Sequence, residues 1–364
     1  MTSLRNLLPL IDKEKYTVDV YAVTAVGTEY VSLDPYASVL NRPGKAGDSP
    51  KSRSLKTIVI DFLKRVKRLS MKFGLDPSAT VFKRMAAPLS AKHYDYVIAY
   101  QEGQATLMAS FIEAPVKIAW VHSMYSRFKA TSTGRNADDA YRSYNKIICV
   151  SNAAADDMKA TSPELADKIN VVYNALDVER IRTLSGAEAD MPGGINIVSV
   201  GRVDPVKRFS LIPSIAAFLK HKGLAFHWTI IGGSVDDDEK AKLLHNVSEY
   251  GVSDVVDWVG QKTNPYPYIG KSDLLVCLSS SETFNYTLAE AIALGTPVVT
   301  ADFPCAREFV DDGVTGLICS IDKMPGMIYD ILTDKLLYGR VKDGIERALD
   351  RTGLIMKQLS LVLD

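Results

Sequence analysis

Short apolar runs alternate with amphipathic segments along most of the chain. The runs rich in β-branched residues predict strands, and they lie at Val18–Val23, Tyr96–Tyr100, Val116–Val121, Ile147–Val150, Ile169–Tyr173, Ile195–Val200, Phe226–Ile231, Val255–Val259, Leu274–Leu278 and Pro297–Thr300. Helical periodicity is found between most of them, notably at Phe209–His221, Asp236–Tyr250, Tyr286–Leu294 and Arg340–Leu361. Continuous apolar strands separated by helices are typical of parallel sheets covered on both faces. The predicted fold class is therefore α/β, with two doubly wound, Rossmann-like domains that face each other across a cleft.

The acidic stretch Asp177–Gly194 interrupts this alternation and ends in Pro192-Gly193-Gly194. A chain of 364 residues has the length of two domains. We therefore predict an N-terminal domain at 1–175, a linker at 176–194 and a C-terminal domain at 195–340. Residues 341–364 are predicted to form a helix that packs back toward the N-terminal domain.

Composition narrows the class of protein. Hydrophobic residues make up 47% and charged residues 24%, which is typical of a globular chain and excludes disorder over its whole length. The 43 basic and 43 acidic residues cancel, so the excess positive charge that favours nucleic-acid binding is absent. No apolar run approaches the ~18 residues of a membrane span. Cys149, Cys277, Cys305 and Cys319 form no CxxC pair, which predicts buried free thiols in a reducing cytoplasm.

The neutral total hides an asymmetry between the two halves. Up to Ala175 there are 24 basic and 17 acidic residues, and the excess is concentrated in Lys51–Arg84, which has ten basic residues and two acidic ones. Apolar residues recur there at helical spacing, at Ile58, Phe62, Val66, Leu69 and Phe73. The segment is either a basic amphipathic helix that lies on an anionic membrane surface or a helix that packs on its own domain through that stripe.

The first candidate site follows the predicted strand Ile195–Val200. Gly201 permits a sharp turn and a close approach of the backbone to a ligand, and Arg202 and Lys207 come next. A guanidinium binds phosphate oxygens through two hydrogen bonds, and an ammonium adds a point charge. The group either binds a diphosphate or, alternatively, caps a helix and pairs with surface acids.

The second candidate site follows the predicted strand Leu274–Leu278. Glu282 lies on a polar loop, a helix starts near Asn285 or Tyr286, and Glu290 lies about one turn inside it. A helix start binds anions, and carboxylates beside it accept hydrogen bonds from sugar hydroxyls. The pattern predicts a sugar and a ribose on either side of a diphosphate; for either Glu alone, a surface role or an interaction with the helix dipole is the alternative.

Together these segments resemble the retaining GT-B glycosyltransferases of group 1 (family 4). SVGRVDPVKR is similar to the family's phosphate motif, Glu282 and Glu290 match its E-x7-E motif, and GTPVVTADFPCAREFVDDGVTGLIC is similar to the segment that follows. YDYVIAYQEG, VKIAWVHSMYSR, ICVSNAA and KINVVYNALD resemble successive strands of the N-terminal domain and the crossover. The resemblance covers nearly the whole chain.

The resemblance implies a glycosyltransferase of the hexosyltransferase type, with roles for individual residues. Arg202 and Lys207 would bind the donor diphosphate and stabilise the departing charge, Glu282 would hold the donor sugar, and His122 would position that sugar. The expected substrate-binding residues also include Gly201, Glu290, Phe284, Asn285, Tyr286, Thr287, Leu288, Gln261 near the base, and Glu102 and Gly103 on the acceptor side.

Two departures from the family pattern are visible. Thr283 follows Glu282 where the family usually has glycine, which affects the sugar pocket or the donor choice. The family normally opens with a strand and a glycine-rich loop, whereas Met1–Leu8 reads as the helix after that loop, so the N-terminal sheet is expected to lack its first strand. The alternative function is therefore a shortened, weakly active glycosyltransferase-like protein that binds nucleotide sugars.

The implied reaction transfers a glycosyl unit with retention from a UDP- or GDP-linked sugar to an acceptor hydroxyl. The expected setting is the synthesis of cell-surface polysaccharide or glycolipid, in the cytoplasm or on the inner face of the membrane. Expected partners are the nucleotide sugar, a saccharide or lipid-linked acceptor and an anionic membrane surface, without nucleic acid. Asp236-Asp237-Asp238 is predicted to cap a helix, and no metal or other cofactor is expected. A Rossmann dehydrogenase is disfavoured because no G-x-G-x-x-G follows a predicted strand.

Overall fold

The structure is a computed structural model that describes residues 2–23, 33–41, 77–131, 134, 137–347 and 352–363. Most of the basic segment 51–84 lies outside the described residues, and so does its proposed membrane contact. The chain folds into two compact units. The first comprises Met1–Val150, Ala154–Asn174 and Gln358–Asp364, and the second comprises Ser151–Ala153 and Ala175–Lys357.

The first unit is built on parallel strands with helices between them. Its strands are β1 (Asp19–Val20), β2 (Ser38–Val39), β3 (Tyr96–Ala99), β4 (Val116–Val121), β5 (Lys146–Cys149) and β6 (Ile169–Val171). Its helices are α1 (Thr2–Leu7), α2 (Pro77–Ser90), α3 (Gln104–Ser110), α4 (Tyr125–Lys129), α5 (Ala137–Tyr141) and α6 (Asn152–Thr161). The described strands β3, β4, β5 and β6 form a parallel sheet in that order, and β1 pairs with β2 in parallel.

Both faces of this sheet are buried. Ile118, Trp120 and Ile148 lie on one face, and an apolar cluster covers the other. Ala119 and Val121 of β4 and Ile147 and Cys149 of β5 point to it, as the period of two along a strand requires. Tyr141 packs there against neighbouring aromatic side chains and is fully buried. The end of helix α15 (Thr352–Leu363) also belongs to this unit.

The second unit contains one larger sheet. Its strands are β7 (Ile195–Val200), β8 (Phe226–Ile231), β9 (Val256–Trp258), β10 (Leu274–Cys277), β11 (Val298–Ala301) and β12 (Leu317–Cys319). Its helices are α7 (Val178–Ser185), α8 (Ile212–His221), α9 (Asp237–Glu249), α10 (Tyr266–Lys271), α11 (Tyr286–Ala293), α12 (Ala306–Phe309), α13 (Met324–Thr333) and α14 (Lys335–Glu346). The strands run parallel in the order β12-β11-β10-β7-β8-β9, and apolar clusters cover both faces.

The α/β class and the parallel sheets confirm the prediction from the sequence. Most predicted strands are present, although several are a residue or two shorter at their ends. The predicted helix Arg340–Leu361 is wrong as a single element: α14 begins at Lys335, because the Asp334 side chain accepts the amides of Leu336 and Leu337, and a separate helix runs from Thr352. Strand β12 was not among the predicted strands.

Four further expectations concern the chain as a whole. All four cysteines are buried free thiols, as predicted. None of the helices among the described residues combines the length and apolarity needed to cross a bilayer. The missing first strand of the N-terminal sheet stays a prediction, because residues 24–32 and 42–76 lie outside the described ranges. The predicted linker 176–194 contains helix α7.

Candidate functional site

The strand order of the second unit defines where a ligand is expected. Numbered within the unit, the order is 3-2-1-4-5-6, so the direction of winding reverses between β7 and β10. Ligands of doubly wound folds bind beyond the carboxyl ends of the strands at this reversal. Both candidate motifs lie there, since Gly201 follows β7 and Glu282 follows β10. The two loops are joined directly, because the Ser280 amide donates to the Val206 carbonyl oxygen at 2.8 Å.

The loop after β7 is a turn held by a buried carboxylate. Asp204 is 7% exposed and accepts hydrogen bonds from the amides of Val206 (3.0 Å) and Lys207 (2.9 Å). These bonds fix the backbone that carries Lys207. Sequence patterns did not indicate this role of Asp204, although an Asp that accepts a hydrogen bond from the amide two residues later is a common turn signal.

The backbone at the end of β8 packs directly against the backbone of this loop. A Cβ atom at Gly232 would lie 1.7 Å from the Gly201 carbonyl oxygen, and Gly232 has a φ of +148°. Only glycine fits this position. The contact sets the spacing between the loops after β7 and β8.

Lys207 and Glu282 form an ion pair between the two loops. Lys207 Nζ lies 2.6 Å from Glu282 Oε1, and the two side chains are 17% and 16% exposed. Burial alone would lower the pKa of Lys207, but the Glu282 carboxylate, with smaller contributions from Cys277 and Asp204, outweighs burial and raises that pKa above its ordinary value. Lys207 is therefore a charged ammonium beside the start of α11.

Arg202 differs from Lys207 in its surroundings. Its side chain is 70% exposed, and its guanidinium lies 3.4 Å from the Asp204 carboxylate. An exposed pair of this kind contributes little to stability. The Arg202 guanidinium therefore remains accessible to a ligand at the strand ends.

Helix α11 starts at the same edge, at Tyr286, as the sequence predicted. Asn285 is its cap, and its side-chain oxygen accepts the Leu288 amide at 3.1 Å. The Thr287 hydroxyl lies 3.5 Å from the Val200 carbonyl oxygen, which places the first turn of α11 beside the end of β7. First-turn amides have no partner within their own helix, so they favour an anion at this end.

The loop that carries Glu282 is anchored on its far side. The Cys305 thiol donates to the Glu282 carbonyl oxygen at 3.2 Å, and the side-chain Nδ2 atom of Asn285 donates to Cys277 Sγ at 3.3 Å. Phe284 packs against Tyr286 and Phe309, with ring centroids 4.8 and 4.7 Å away. These contacts hold the Glu282 side chain toward Lys207, and sequence patterns did not indicate the part played by Cys305.

Glu290 lies one turn further along α11 and is half-buried. Its Oε1 atom accepts a hydrogen bond from the Tyr266 hydroxyl at 3.2 Å. Burial raises the pKa of Glu290 to about 7, and the bond from Tyr266 opposes that rise. A carboxyl group with such a pKa is typical of a binding or catalytic position.

Gln261 is exposed and follows β9. Its side-chain oxygen would lie 3.3 Å from a Cβ atom at Gly233, and the Gly232 amide donates to the Gly260 carbonyl oxygen at 2.8 Å. The loops after β8 and β9 therefore lie side by side. This places Gln261 at the strand-end edge where the sequence analysis expected the base.

The remaining predicted residues belong to the first unit. Glu102 follows β3, and its carboxylate accepts the His122 amide at 2.8 Å and both the amide and the hydroxyl of Ser123. Gly103 has a φ of +83°, which glycine adopts without strain. Burial lowers the pKa of His122, which Glu102 partly opposes. Glu102 thus holds the loop that carries His122, and the sugar-positioning role of His122 stays a prediction.

Within the second unit, the structure brings most of the predicted residues to one edge of the sheet. They are Gly201, Arg202, Lys207, Gln261, Glu282, Phe284, Asn285, Tyr286, Thr287, Leu288 and Glu290. The side chain of Leu288 is fully buried in the core, so only its backbone faces the helix start. Side chains from three loops and one helix thus lie along the carboxyl ends of the strands.

No group of three or more histidine, cysteine or acidic side chains among the described residues is arranged to hold a metal ion. The acidic run behaves as predicted, since Asp236 caps α9 by accepting the Glu239 amide at 2.8 Å. Whether the protein needs a metal stays a prediction from the family resemblance.

Comparison with solved structures agrees with this architecture. HepE of Anabaena, crystallised with UDP and glucose, superposes with a TM-score of 0.65 over 78% of this chain and 81% of that one, at 18% identity. A similarity of this kind shows the fold, which is GT-B with two Rossmann-like domains.

Sequence comparison shows which family part of this chain resembles. Residues 188–334 match the family described as "Glycosyl transferases group 1". The D-inositol 3-phosphate glycosyltransferase of Nocardia farcinica is 31% identical over 192 residues, which cover 46% of this chain and 42% of that protein. The amylovoran biosynthesis glycosyltransferase AmsK of Erwinia amylovora is 27% identical over 159 residues, which cover 42% and 38%. The aligned part spans less than half of these relatives. The similarity to the group 1 glycosyltransferases lies in the second unit.

Proposed function

We propose that the protein transfers a sugar from a nucleotide diphosphate sugar, linked to UDP or GDP, to an acceptor hydroxyl. The observation that carries the proposal is the grouping of Lys207, Glu282, Glu290 and the start of α11 at the reversal of the second sheet. A cation and a helix start suit a diphosphate, and the flanking carboxylates suit hydroxyls. The group 1 domain and the UDP and glucose named for the HepE crystals support this assignment.

Each group of the proposed site has a chemical task. The diphosphate binds between Lys207, Arg202 and the first-turn amides of α11. Glu290 accepts hydrogen bonds from the ribose hydroxyls, and Glu282 accepts hydrogen bonds from hydroxyls of the donor sugar. Glu282 forms an ion pair with Lys207 in the structure. When the donor binds, the carboxylate of Glu282 therefore interacts with both the Lys207 ammonium and the sugar hydroxyls.

The reaction breaks the bond between the anomeric carbon and the diphosphate oxygen and forms one to the acceptor oxygen. The transition state resembles an oxocarbenium ion, as in other glycosyl chemistry. Lys207 and the helix start stabilise the negative charge that develops on the leaving diphosphate. We propose retention by attack from the same face, in which a leaving phosphate oxygen removes the acceptor proton and no carboxylate acts as nucleophile.

The names of the relatives support a proposal for the acceptor class. AmsK is named for amylovoran biosynthesis, and the Nocardia relative is named for transfer to an inositol phosphate. We propose an acceptor hydroxyl on a saccharide or a lipid-linked saccharide, used in cell-surface polysaccharide or glycolipid synthesis. An anionic membrane surface bound through residues 51–84 remains part of this proposal.

The proposal is tested by thermal unfolding with a panel of UDP- and GDP-linked sugars. A donor present at 100 times its dissociation constant adds about 2.7 kcal/mol to the stability of the folded protein. Lys207→Ala is expected to abolish the shift for the best donor, and Arg202→Ala to reduce it. Asp237→Ala, at the exposed start of α9, is the control and leaves the shift intact.

The result that overturns the proposal is the absence of a shift with every nucleotide sugar. A shift that survives both Lys207→Ala and Arg202→Ala places the ligand elsewhere and also overturns it. Because Arg202 is largely exposed, its variant folds even if Lys207→Ala does not.

A further inference from the structure

The loop between β9 and α10 is tied to the site from both of its ends. At one end, the Gly260 carbonyl oxygen accepts the Gly232 amide, and at the other, the Asn264 side chain donates to the Leu184 carbonyl oxygen at 2.9 Å. Asn264 also accepts the Tyr266 amide at 3.3 Å. The loop therefore delivers Tyr266 to a fixed place at the start of α10.

Tyr266 spans the space between this loop and α11. Its ring packs with the apolar cluster on one face of the sheet, while its hydroxyl donates to Glu290 Oε1. A carboxylate on a helix has several rotamers, and a hydrogen bond from a rigid aromatic side chain selects one of them. Tyr266 thus couples the loop that bears Gln261 to the carboxyl group assigned to the ribose.

We propose that Tyr266 is a positioning residue that fixes the Glu290 carboxylate for the ribose hydroxyls of the nucleotide. The inference rests on the proposed function and names a residue that the family motifs do not include. It assigns to Tyr266 no contact with the reacting atoms. Its effect is confined to ligands that carry the ribose hydroxyls.

Two cationic side chains on the elements around Glu290 bond to backbone carbonyl oxygens. Helices α7 and α10 and strands β10 and β11 pack against α11. Arg182 on α7 donates to the Ala293 carbonyl oxygen, and Lys271 on α10 donates to the Ala187 carbonyl oxygen. The other titratable groups on these elements are Glu179 and Arg180, which are exposed, and Tyr268 and Cys277, which are buried.

The protonation of Glu290 gives the proposal a second readout. Burial raises the pKa of Glu290 to about 7, and the Tyr266 hydrogen bond lowers it because it stabilises the charged form. Tyr266→Phe removes this stabilisation, so the pH at which Glu290 ionises rises in the variant. The pH midpoint for binding of a ribose-containing ligand is expected to rise with it.

The test compares two ligands on two matched variants. UDP or GDP, whichever gives the larger thermal shift with the wild type, is titrated calorimetrically beside its 2′,3′-dideoxy counterpart at pH 6, 7 and 8. The variants are Tyr266→Phe and Tyr338→Phe. Tyr338 is the control because its hydroxyl also makes a 3.2 Å bond within the second unit, to the Asp273 carbonyl oxygen at the opposite ends of the strands.

The expected result is a loss selective for the ribose hydroxyls. Tyr266→Phe weakens the nucleotide about threefold to tenfold, the size of one hydrogen bond, and leaves the dideoxy ligand unchanged; Tyr338→Phe changes neither. An equal loss for both ligands, or no loss, overturns the positioning role while leaving the proposed function in place. Failure of the wild type to bind any nucleoside diphosphate overturns both.

Discussion

Replacing Glu282 by glutamine is a direct probe of the ion pair in the site. The variant keeps the size of the side chain and removes the negative charge that faces Lys207 at 2.6 Å. In the wild type, a nucleoside diphosphate must share the Lys207 ammonium with Glu282 or displace it. Without that carboxylate, the diphosphate becomes the main anionic partner of Lys207.

The magnitude follows from the geometry of the pair. Both side chains are less than one-fifth exposed, so water screens the interaction only in part. A hydrogen bond between charged groups contributes about 1.5–3 kcal/mol. The ligand-free variant should lose about that much free energy of unfolding, and for a unit of this size its Tm falls by about 3–12 °C. If the diphosphate recovers the lost energy, its affinity rises about tenfold to hundredfold.

The assay is calorimetric titration of UDP and GDP, together with thermal unfolding with and without ligand. Asp254→Asn is the matched control, because Asp254 lies 2.7 Å from Lys220 in an exposed pair away from the site. We expect Glu282→Gln to have a lower Tm than the wild type and a larger ligand-induced shift, and the control to show neither change. Equal or weaker binding of the diphosphate by Glu282→Gln refutes the competition between the carboxylate and the ligand.

Three further outcomes follow from other parts of the structure. Glu290→Gln should stabilise the ligand-free protein at pH 8 and not at pH 5, because burial penalises the charged carboxylate only above its unfolded pKa. The expected gain in the free energy of unfolding is about 1–3 kcal/mol and is measured by urea unfolding. An equal change at both pH values would contradict this expectation. Gly232→Ala should destabilise the second unit by more than about 3 kcal/mol, because the new Cβ would lie 1.7 Å from the Gly201 carbonyl oxygen; wild-type thermal stability would show that the loops move freely. Glu102→Ala should speed hydrogen exchange at the His122 amide at least about tenfold, since the variant loses the carboxylate that accepts that amide; unchanged exchange would mean that Glu102 does not hold the loop.

The position of the site could be predicted from the sequence, whereas its internal bonds could not. Gly201 and Glu282 each follow an apolar run directly, and parallel strands end at a common edge, so both motifs were expected at one edge of the sheet. The bond between Lys207 and Glu282 joins residues 75 positions apart. This bond exists because β7 and β10 are neighbours in the sheet. Hydrophobic periodicity does not determine the order of strands in a sheet.

The contacts of Tyr266 and Cys305 also have no signal in the sequence. The loop that bears Gln261 was expected near the base, but the bond from Tyr266 to Glu290 depends on the packing of α10 against α11. Cys305 reads in the sequence as a buried thiol, and only the structure shows that it donates to the Glu282 carbonyl oxygen. Long-range contacts of single polar atoms leave no local pattern.

The central claim is that a diphosphate binds between Lys207 and the start of α11. A crystal structure of the protein with a nucleoside diphosphate tests it most directly. Phosphate oxygens are expected within hydrogen-bond distance of Lys207 Nζ and of the Thr287 amide, with ribose hydroxyls on Glu290. A nucleotide bound elsewhere, with Lys207 still bonded only to Glu282, would contradict it.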